Sequence, residues 1–433
     1  MKFILKGNII YNKTLNSLNI TPKGYLVCEE GMSRGVFIEI PPNYMDYPLV
    51  DYGDKLILPG LVDLHLHAPQ YTFRGMGMDL ELLDWLNTYT FKEESKYKAL
   101  DYAHTAYNLF VKDMVRGGTT RAAVFGTIHT SATLLLMEKL ERAGMVSYVG
   151  KVNMDRNSPF YYIEKNATES LRETEKFIEE AFVRFSHSKP ILTPRFTPSC
   201  SDELMEGLGK LQRKYNIPVQ SHLSENPKEI AWVEELCPGT RCYGDSYDRY
   251  GLFGGEGVPT IMAHCVWPVE LEEQMLKDNG VYVAHCPGSN SHLSSGIAPI
   301  RRFLNKGIKV GLASDIAGGT GTNILRTMAD AIQMSKMYWR LVDPEDAPLT
   351  VPEVLYMATQ GGGSFFGQVG SFDDGFEFDA IIIDDSNFHN TEGFTIENRL
   401  ERLIYLGDEQ QIYEKYIKGH KVKKFNGKEP NLS

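Results

Sequence analysis

The chain has 433 residues, long for a single core, since cores stop growing near about 250–300 residues, so one large domain with a smaller companion is expected. Apolar and charged fractions are those of an ordinary globular protein, and a net charge of -11 excludes the nucleic-acid backbone as a partner, which needs a basic face. With no run of about 18 apolar residues and too short an apolar start for a secretion signal, neither a membrane span nor export is expected.

Residues 1–58 read as short strands: Phe3–Tyr11, Gly24–Glu29, Val36–Ile40 and Lys55–Leu58, separated by Pro, Gly and Asn. From Leu61 the texture changes to strand-like runs alternating with helical segments. The runs are Leu61–His67, Thr119–Phe125, Met145–Val152, Pro190–Phe196, Pro218–Ser224, Thr260–Cys265, Val281–Cys286 and Lys309–Asp315, eight in all. Helices are expected over Tyr97–Arg116, Ala132–Ala143, Thr168–Phe185 and Asp202–Tyr215, with Gly117-Gly118, Gly144, Gly280 and Gly307 closing helical segments. The last 60 or so residues return to β texture at Phe378–Asp384, Arg402–Leu406 and Glu409–Val422. The pattern predicts an α/β chain: a (β/α)₈ barrel over 59–365, with 1–58 and 366–433 joining into one small β-sandwich.

Barrel chemistry collects at the C-terminal ends of the strands. There the sequence places His65 and His67 on the first run, Arg195 on the fourth, His222 on the fifth with Glu225 just beyond, His264 on the sixth and Asp315 on the eighth. Two-residue periodicity puts His65 and His67 on one face. Three imidazoles (His65, His67, His222) and the Asp315 carboxylate form an N/O donor set suited to zinc, with iron or manganese chemically acceptable. Taken alone, Glu225 reads as a solvated carboxylate opening a helix, and His264 as a hydrogen-bonded core histidine. Beside a metal-bound water, Glu225 becomes the group able to take and return a proton. His285 is expected to be structural, and His104, His129, His187, His292, His389 and His420 have no such placement. The six cysteines are scattered, which fits reduced thiols in a cytoplasm; Cys237 and Cys242 could be half of a zinc site, but no second pair follows.

These residues resemble the amidohydrolase superfamily. The carrying segment is Leu58-Pro59-Gly60-Leu61-Val62-Asp63-Leu64-His65-Leu66-His67. Within it, His67-Ala68-Pro69-Gln70-Tyr71, the stretch Leu83–Phe91, Pro194-Arg195-Phe196, Ser221–Asn226, Ala284–Pro287 and Gly311–Asp315 look like the guanine deaminase family. Pro69 departs from that pattern, which has a small polar residue there. The resemblance implies one zinc ion per chain on His65, His67, His222 and Asp315. It implies a purine held by Gln70, Arg195 and Phe196, with His264 near the reacting carbon, and a homodimer. Trp85 could add flat apolar contact or simply pack its helix. The implied reaction is hydrolysis of guanine to xanthine and ammonia, with hydroxide generated at the metal attacking C2, Glu225 shuttling protons and Asp315 assisting. Arg195 suits the guanine O6 acceptor and opposes the amino donor of adenine. The competing expectations are a deaminase of another heterocycle (pterin, triazine or cytosine-like), a cyclic-amide hydrolase of the same superfamily, and a non-catalytic scaffold. Many of the cyclic-amide enzymes hold two metals through a lysine at the end of strand four, where this chain has Arg195.

Overall fold

β-Branched and aromatic residues at both chain ends build one sheet. The computed structural model describes residues 1–255, 257–388 and 393–422; residues 423–433 of the expected C-terminal part, and His389, lie outside them. Strands β1 (Lys2–Thr14), β2 (Ser17–Glu29), β3 (Met32–Phe37) and β4 (Leu49–Pro59) come from the N-terminal end. The central region gives β5 (Leu61–His67), β6 (Thr119–Phe125), β7 (Val146–Gly150), β8 (Val152–Asn153), β9 (Ser188–Pro190), β10 (Thr193–Pro194), β11 (Val219–Leu223), β12 (Thr260–His264), β13 (Tyr282–His285) and β14 (Lys309–Leu312). The C-terminal end adds β15 (Ala380–Ile383), β16 (Ile412–Ile417) and β17 (His420–Lys421).

The terminal strands form a seven-stranded mixed sheet in the order β17-β16-β15-β4-β1-β2-β3. Alternation along β1 gives this sheet two apolar faces. Leu5, Ile9 and Tyr11 join Leu26, Phe372, Phe378 and Tyr416 in one cluster, while Ile10, Leu56, Leu58 and Ile381 pack into the main core. Two buried basic side chains tie the sheet to the central region. Lys415 on β16 donates from Nζ to the carbonyls of Met114, Gly117 and Thr119 at 2.9–3.0 Å, closing the C-terminal end of the Leu100–Arg116 helix, where a cation is favoured. Arg121 on β6 forms a two-bond pair with Asp379.

The central strands form two four-stranded parallel sheets, β5-β6-β7-β9 and β11-β12-β13-β14, and the short pair β10-β8. Leu192 N–H donates to Pro218 O, and Gln220 N–H to Leu192 O, linking β11 to the segment between β9 and β10. At the other side Asp315 N–H donates to His65 O and His67 N–H to Ile316 O, joining the chain beyond β14 to β5. Val62, Leu64, Ala123, Ile261, Ala263, Ala284 and Ala313, contributed by both sheets, share one buried cluster.

Three expectations need correction. The fourth run is not one strand: it breaks into β9 and β10, because Pro190 and Pro194 each remove a ladder donor. The third run likewise divides at Lys151 into β7 and β8. Arg402–Leu406 is helix, not strand, being the last part of Ile396–Leu406. Thr395 caps that helix, and Leu400, Leu403 and Ile404 are its buried stripe at helical spacing. Gly144, Gly280 and Gly307 do end helical segments with φ of +73°, +63° and +76°, conformations that favour glycine.

Candidate active site

The ends of β5, β11 and β12, together with the segment after β14, bring five side chains to one point. Residue alternation places His65 and His67 on the same side of β5, and both are buried. Ser224, His264 and Asp315 have φ of +46°, +73° and +45°. Left-handed backbone costs such residues on the order of 1–3 kcal/mol each, and here it re-aims the chain where strands give way to loops.

The donor atoms converge. His67 Nε2 lies 3.2 Å from His222 Nε2. Asp315 Oδ1 is 3.1 Å from His65 Nε2 and 3.6 Å from His67 Nε2. Tetrahedral bonds of about 2.0–2.1 Å to zinc separate neighbouring ligand atoms by roughly 3.3 Å, so the spacing fits one ion. His222 Nδ1 is 2.5 Å from the carbonyl oxygen of Arg195, which holds the ring with Nε2 toward the centre. Both ring nitrogens of His65 and Nδ1 of His67 are buried without a hydrogen-bond partner, a cost that a metal ion relieves at the nitrogens facing the centre. His65, His222 and His264 form one set of donor atoms within 4.8 Å, and His65, His67 and Asp315 another. Cys286 also falls near His264 and Asp315. Its thiol donates to Ala284 O, and burial pushes its pKa far up, so it is a poor ligand.

Electrostatics favour the forms that bind a cation. Burial, then the neighbouring imidazoles, hold His67 and His222 well below the usual histidine range, so both are neutral near pH 7. His65 is lowered by burial against the opposing pull of Asp315. Burial works against ionising Asp315, yet His65 and His264 outweigh it and hold the carboxyl below its ordinary value.

Glu225 is not the solvated helix-start carboxylate that its sequence context allows. Asn226 caps the Pro227–Leu236 helix instead, and Glu225 is only 3% exposed. Its Oε1 accepts from Ser295 Oγ at 3.0 Å, and Oε2 lies 3.5 Å from His264 Nε2. Burial raises Glu225 to about 7; His264 opposes this, and the Glu229 and Asp315 charges add to it. His264 Nδ1 is 2.8 Å from Asn290 Oδ1. Burial disfavours its charged form, but Glu225, Asp315 and Asn290 prevail and raise it above 6.5.

A pocket, partly open to solvent, begins at this cluster. His67, His222, His264, Glu225 and Asp315 form one end, and Gln70, Arg195, Phe196, Trp85 and Leu86 line the rest. Every site residue named from the sequence except His65 borders the cavity; His65 lies behind His67 and Asp315, fully buried. Trp85 Nε1 donates to Met76 O, and its side chain borders the cavity. Pro69 sits in the first turn of the Ala68–Phe73 segment, where its missing N–H costs little, and the neighbouring Gln70 remains buried against the cavity.

The comparisons with known proteins follow the same lines. A family model described as "Amidohydrolase family" matches residues 56–422. A guanine deaminase of Dictyostelium discoideum is 37% identical over 97% of this chain and 98% of its own length. The chain belongs to the amidohydrolase family, among its guanine deaminases. A rat member is 38% identical over 86% of this chain and 84% of its own. The structure of a guanine deaminase from C. acetobutylicum with bound guanine in the active site superposes with a TM-score of 0.95, at 46% identity, covering 98% of this chain and all of that one. The E. coli guanine deaminase structure gives 0.88 at 32% identity over 98% of this chain.

In this amidohydrolase several polar residues at the site carried no sequence signal. Glu94 accepts from Gln70 and Arg195. Asn290 and Ser295 hold His264 and Glu225. Asp63, part of the segment that carries the resemblance, accepts from the backbone N–H groups of His65 and Ser314, beside His65 and Asp315 of the cluster. Glu229 accepts from the backbone N–H of Glu225 and Asn226. His285 is buried and stays neutral, its Nδ1 unpaired. His292 places Nδ1 2.9 Å from Gly318 O. Cys237 and Cys242 join no cluster of metal-binding groups among the described residues.

Proposed function

We propose that this protein hydrolyses guanine: water replaces the 2-amino group, giving xanthine and ammonia. What carries the reading is one pocket with a three-histidine, one-carboxylate cluster and a buried carboxyl at its end, in a chain related over nearly its full length to guanine deaminases.

His65, His67, His222 and Asp315 hold one divalent cation per chain; zinc suits the donor set best, and iron is the second choice. Such an ion lowers the pKa of bound water from about 16 to roughly 7. Glu225 accepts the proton released from water and returns it to ring N3, making C2 electrophilic. His264, its pKa raised by Glu225 and Asp315 against the effect of burial, directs Nε2 toward the oxygen arriving at C2. Asp315 remains ionised and assists the first proton transfer. Glu225, deprotonated again, then takes the remaining proton of the new C2 hydroxyl and passes it to the exocyclic nitrogen, so that the C2–N bond breaks, ammonia leaves and C2=O forms. Arg195 offers N–H donors to O6, and an adenine amino group there would meet donor with donor. A buried mismatch of that kind discriminates by about 10⁴-fold or more. Phe196 and Trp85 supply apolar contact, and Gln70 a fixed amide.

The scaffold supporting this chemistry is read as a (β/α)₈ barrel over 59–365, the two parallel sheets joined through Leu192–Gln220 on one side and Asp315–His65 and His67–Ile316 on the other. The seven-stranded sheet from 1–58 and 366–422 is read as a sandwich folded around its own cluster of Leu5, Phe372, Phe378 and Tyr416. No helix among the described residues is long and apolar enough to cross a membrane; a cytoplasmic location remains the reading from the cysteines. A purine panel followed by ultraviolet absorbance, with and without chelator, tests the reaction. Guanine should be consumed far faster than adenine, and chelation should stop it; equal rates on both bases would remove Arg195 from its assigned part.

A further inference from the structure

Glu94 is fully buried and does not border the cavity, yet both of its oxygens are bonded to residues that do. Oε1 accepts from Gln70 Nε2 at 2.8 Å, and Oε2 accepts from Arg195 Nη1 at 2.7 Å. The other end of the Gln70 amide is also fixed, since its Oε1 accepts the Ala317 N–H at 3.0 Å. Flipping that amide would set one donor against the Ala317 N–H and an acceptor against the carboxylate, so one orientation is locked. Phe91, one turn before Glu94 on the Phe91–Ser95 helix, lies under the Arg195 guanidinium, its ring centroid 5.1 Å from Cζ. One short helix therefore grips the guanidinium by face and by edge. The Tyr162 phenol nearby is kept protonated, first by burial and then by the Glu94 charge.

We propose that Glu94 is the positioning residue that sets recognition of the purine 6-oxo group, by fixing the Arg195 guanidinium and the Gln70 carboxamide in one geometry. The inference rests on the guanine reading above, and it concerns binding rather than the bond-breaking step. A glutamine at 94 has one acceptor for two donors, so either Arg195 or Gln70 must lose its anchor. An aspartate keeps the buried charge but draws the carboxylate back by about 1.5 Å, too far to hold both.

The test is calorimetric binding of hypoxanthine and of purine, which differ by the 6-oxo group and the hydrogen that accompanies it on N1. Wild type, Glu94→Gln and Glu94→Asp are compared, with metal content and melting temperature measured alongside. Wild type should prefer hypoxanthine, and Glu94→Gln should shrink that preference by about 10- to 100-fold, the worth of a hydrogen bond to a charged group. Purine affinity should change little. Glu94→Asp, which keeps the buried ion pair's charge and so guards against a misfolded Gln variant, should lose part of the preference. Parallel weakening of both ligands, or an unchanged ratio in either folded variant, would overturn the proposal. Failure of the wild type to turn over guanine would instead refute the function, and the two outcomes are read separately.

Discussion

Replacing Glu225 by glutamine isolates the proton-transfer step. The carboxyl is buried, bonded to Ser295 and held near pH 7 by burial, so both of its forms are populated where a shuttle must work. Glutamine has the same shape, and its amide oxygen can still accept from Ser295 Oγ, so packing is kept. The capacity to take up and return a proton is lost. General acid–base groups contribute about 10²–10⁴-fold, which at about 1.36 kcal/mol per decade is roughly 3–5 kcal/mol of barrier. Guanine disappearance and ammonia release at saturating substrate should fall by that factor, with metal content and melting temperature unchanged. In the wild type, kcat/KM should fall on the acid side as the carboxylate protonates, at or below pH 7, and Glu225→Gln should flatten that limb. A variant that keeps its metal and turns over within about tenfold of wild type would refute the assigned role.

Other consequences can be measured directly. His285 is buried with its pKa lowered to about 3, first by burial and then by His264, whereas an unfolded histidine titrates near 6.5. The unfolded state therefore binds the extra proton first, and stability should be lost by about 1.4 kcal/mol per pH unit as pH falls below 6.5, levelling off near 3. His285→Asn should lessen the measured slope by about that amount in urea titrations run across the interval, the other buried histidines keeping the rest; an unchanged slope would remove His285 from the acid sensitivity. Lys415→Met leaves three carbonyls without a donor and should cost about 3 kcal/mol or more, seen as a lower denaturation midpoint. A midpoint equal to wild type would show that water replaces the ammonium. A homodimer is the expectation from the sequence alone; sedimentation at twice 48.9 kDa would bear it out, and a single-chain mass would contradict it.

Much of the candidate site could be read from the sequence because strand ends concentrate its polar side chains. His-x-His on a buried strand has a two-residue period, and the fifth and eighth runs lead into the third imidazole and the carboxylate of the cluster. Glu94 was invisible for a physical reason. It lies 24 residues beyond Gln70, after a wide helical turn over Leu86–Thr90 that breaks the usual spacing, and nothing local distinguishes it from the neighbouring Glu93. Asn290 and Ser295 sit on a short helix and the loop after it, where polar residues are the norm. Arg402–Leu406 read as strand because five residues carry no helical period; the decisive signal was the Thr395 cap upstream. The proline breaks at Pro190 and Pro194 were present in the sequence, but the apolar run around them hid the interruption.

The most direct test is a crystal structure of the metal-loaded protein with anomalous data collected at the zinc edge. One strong peak per chain is expected, about 2.0–2.2 Å from Nε2 of His65, His67 and His222 and from a carboxylate oxygen of Asp315. Two peaks, or a single peak away from these four side chains, would contradict the site as assigned.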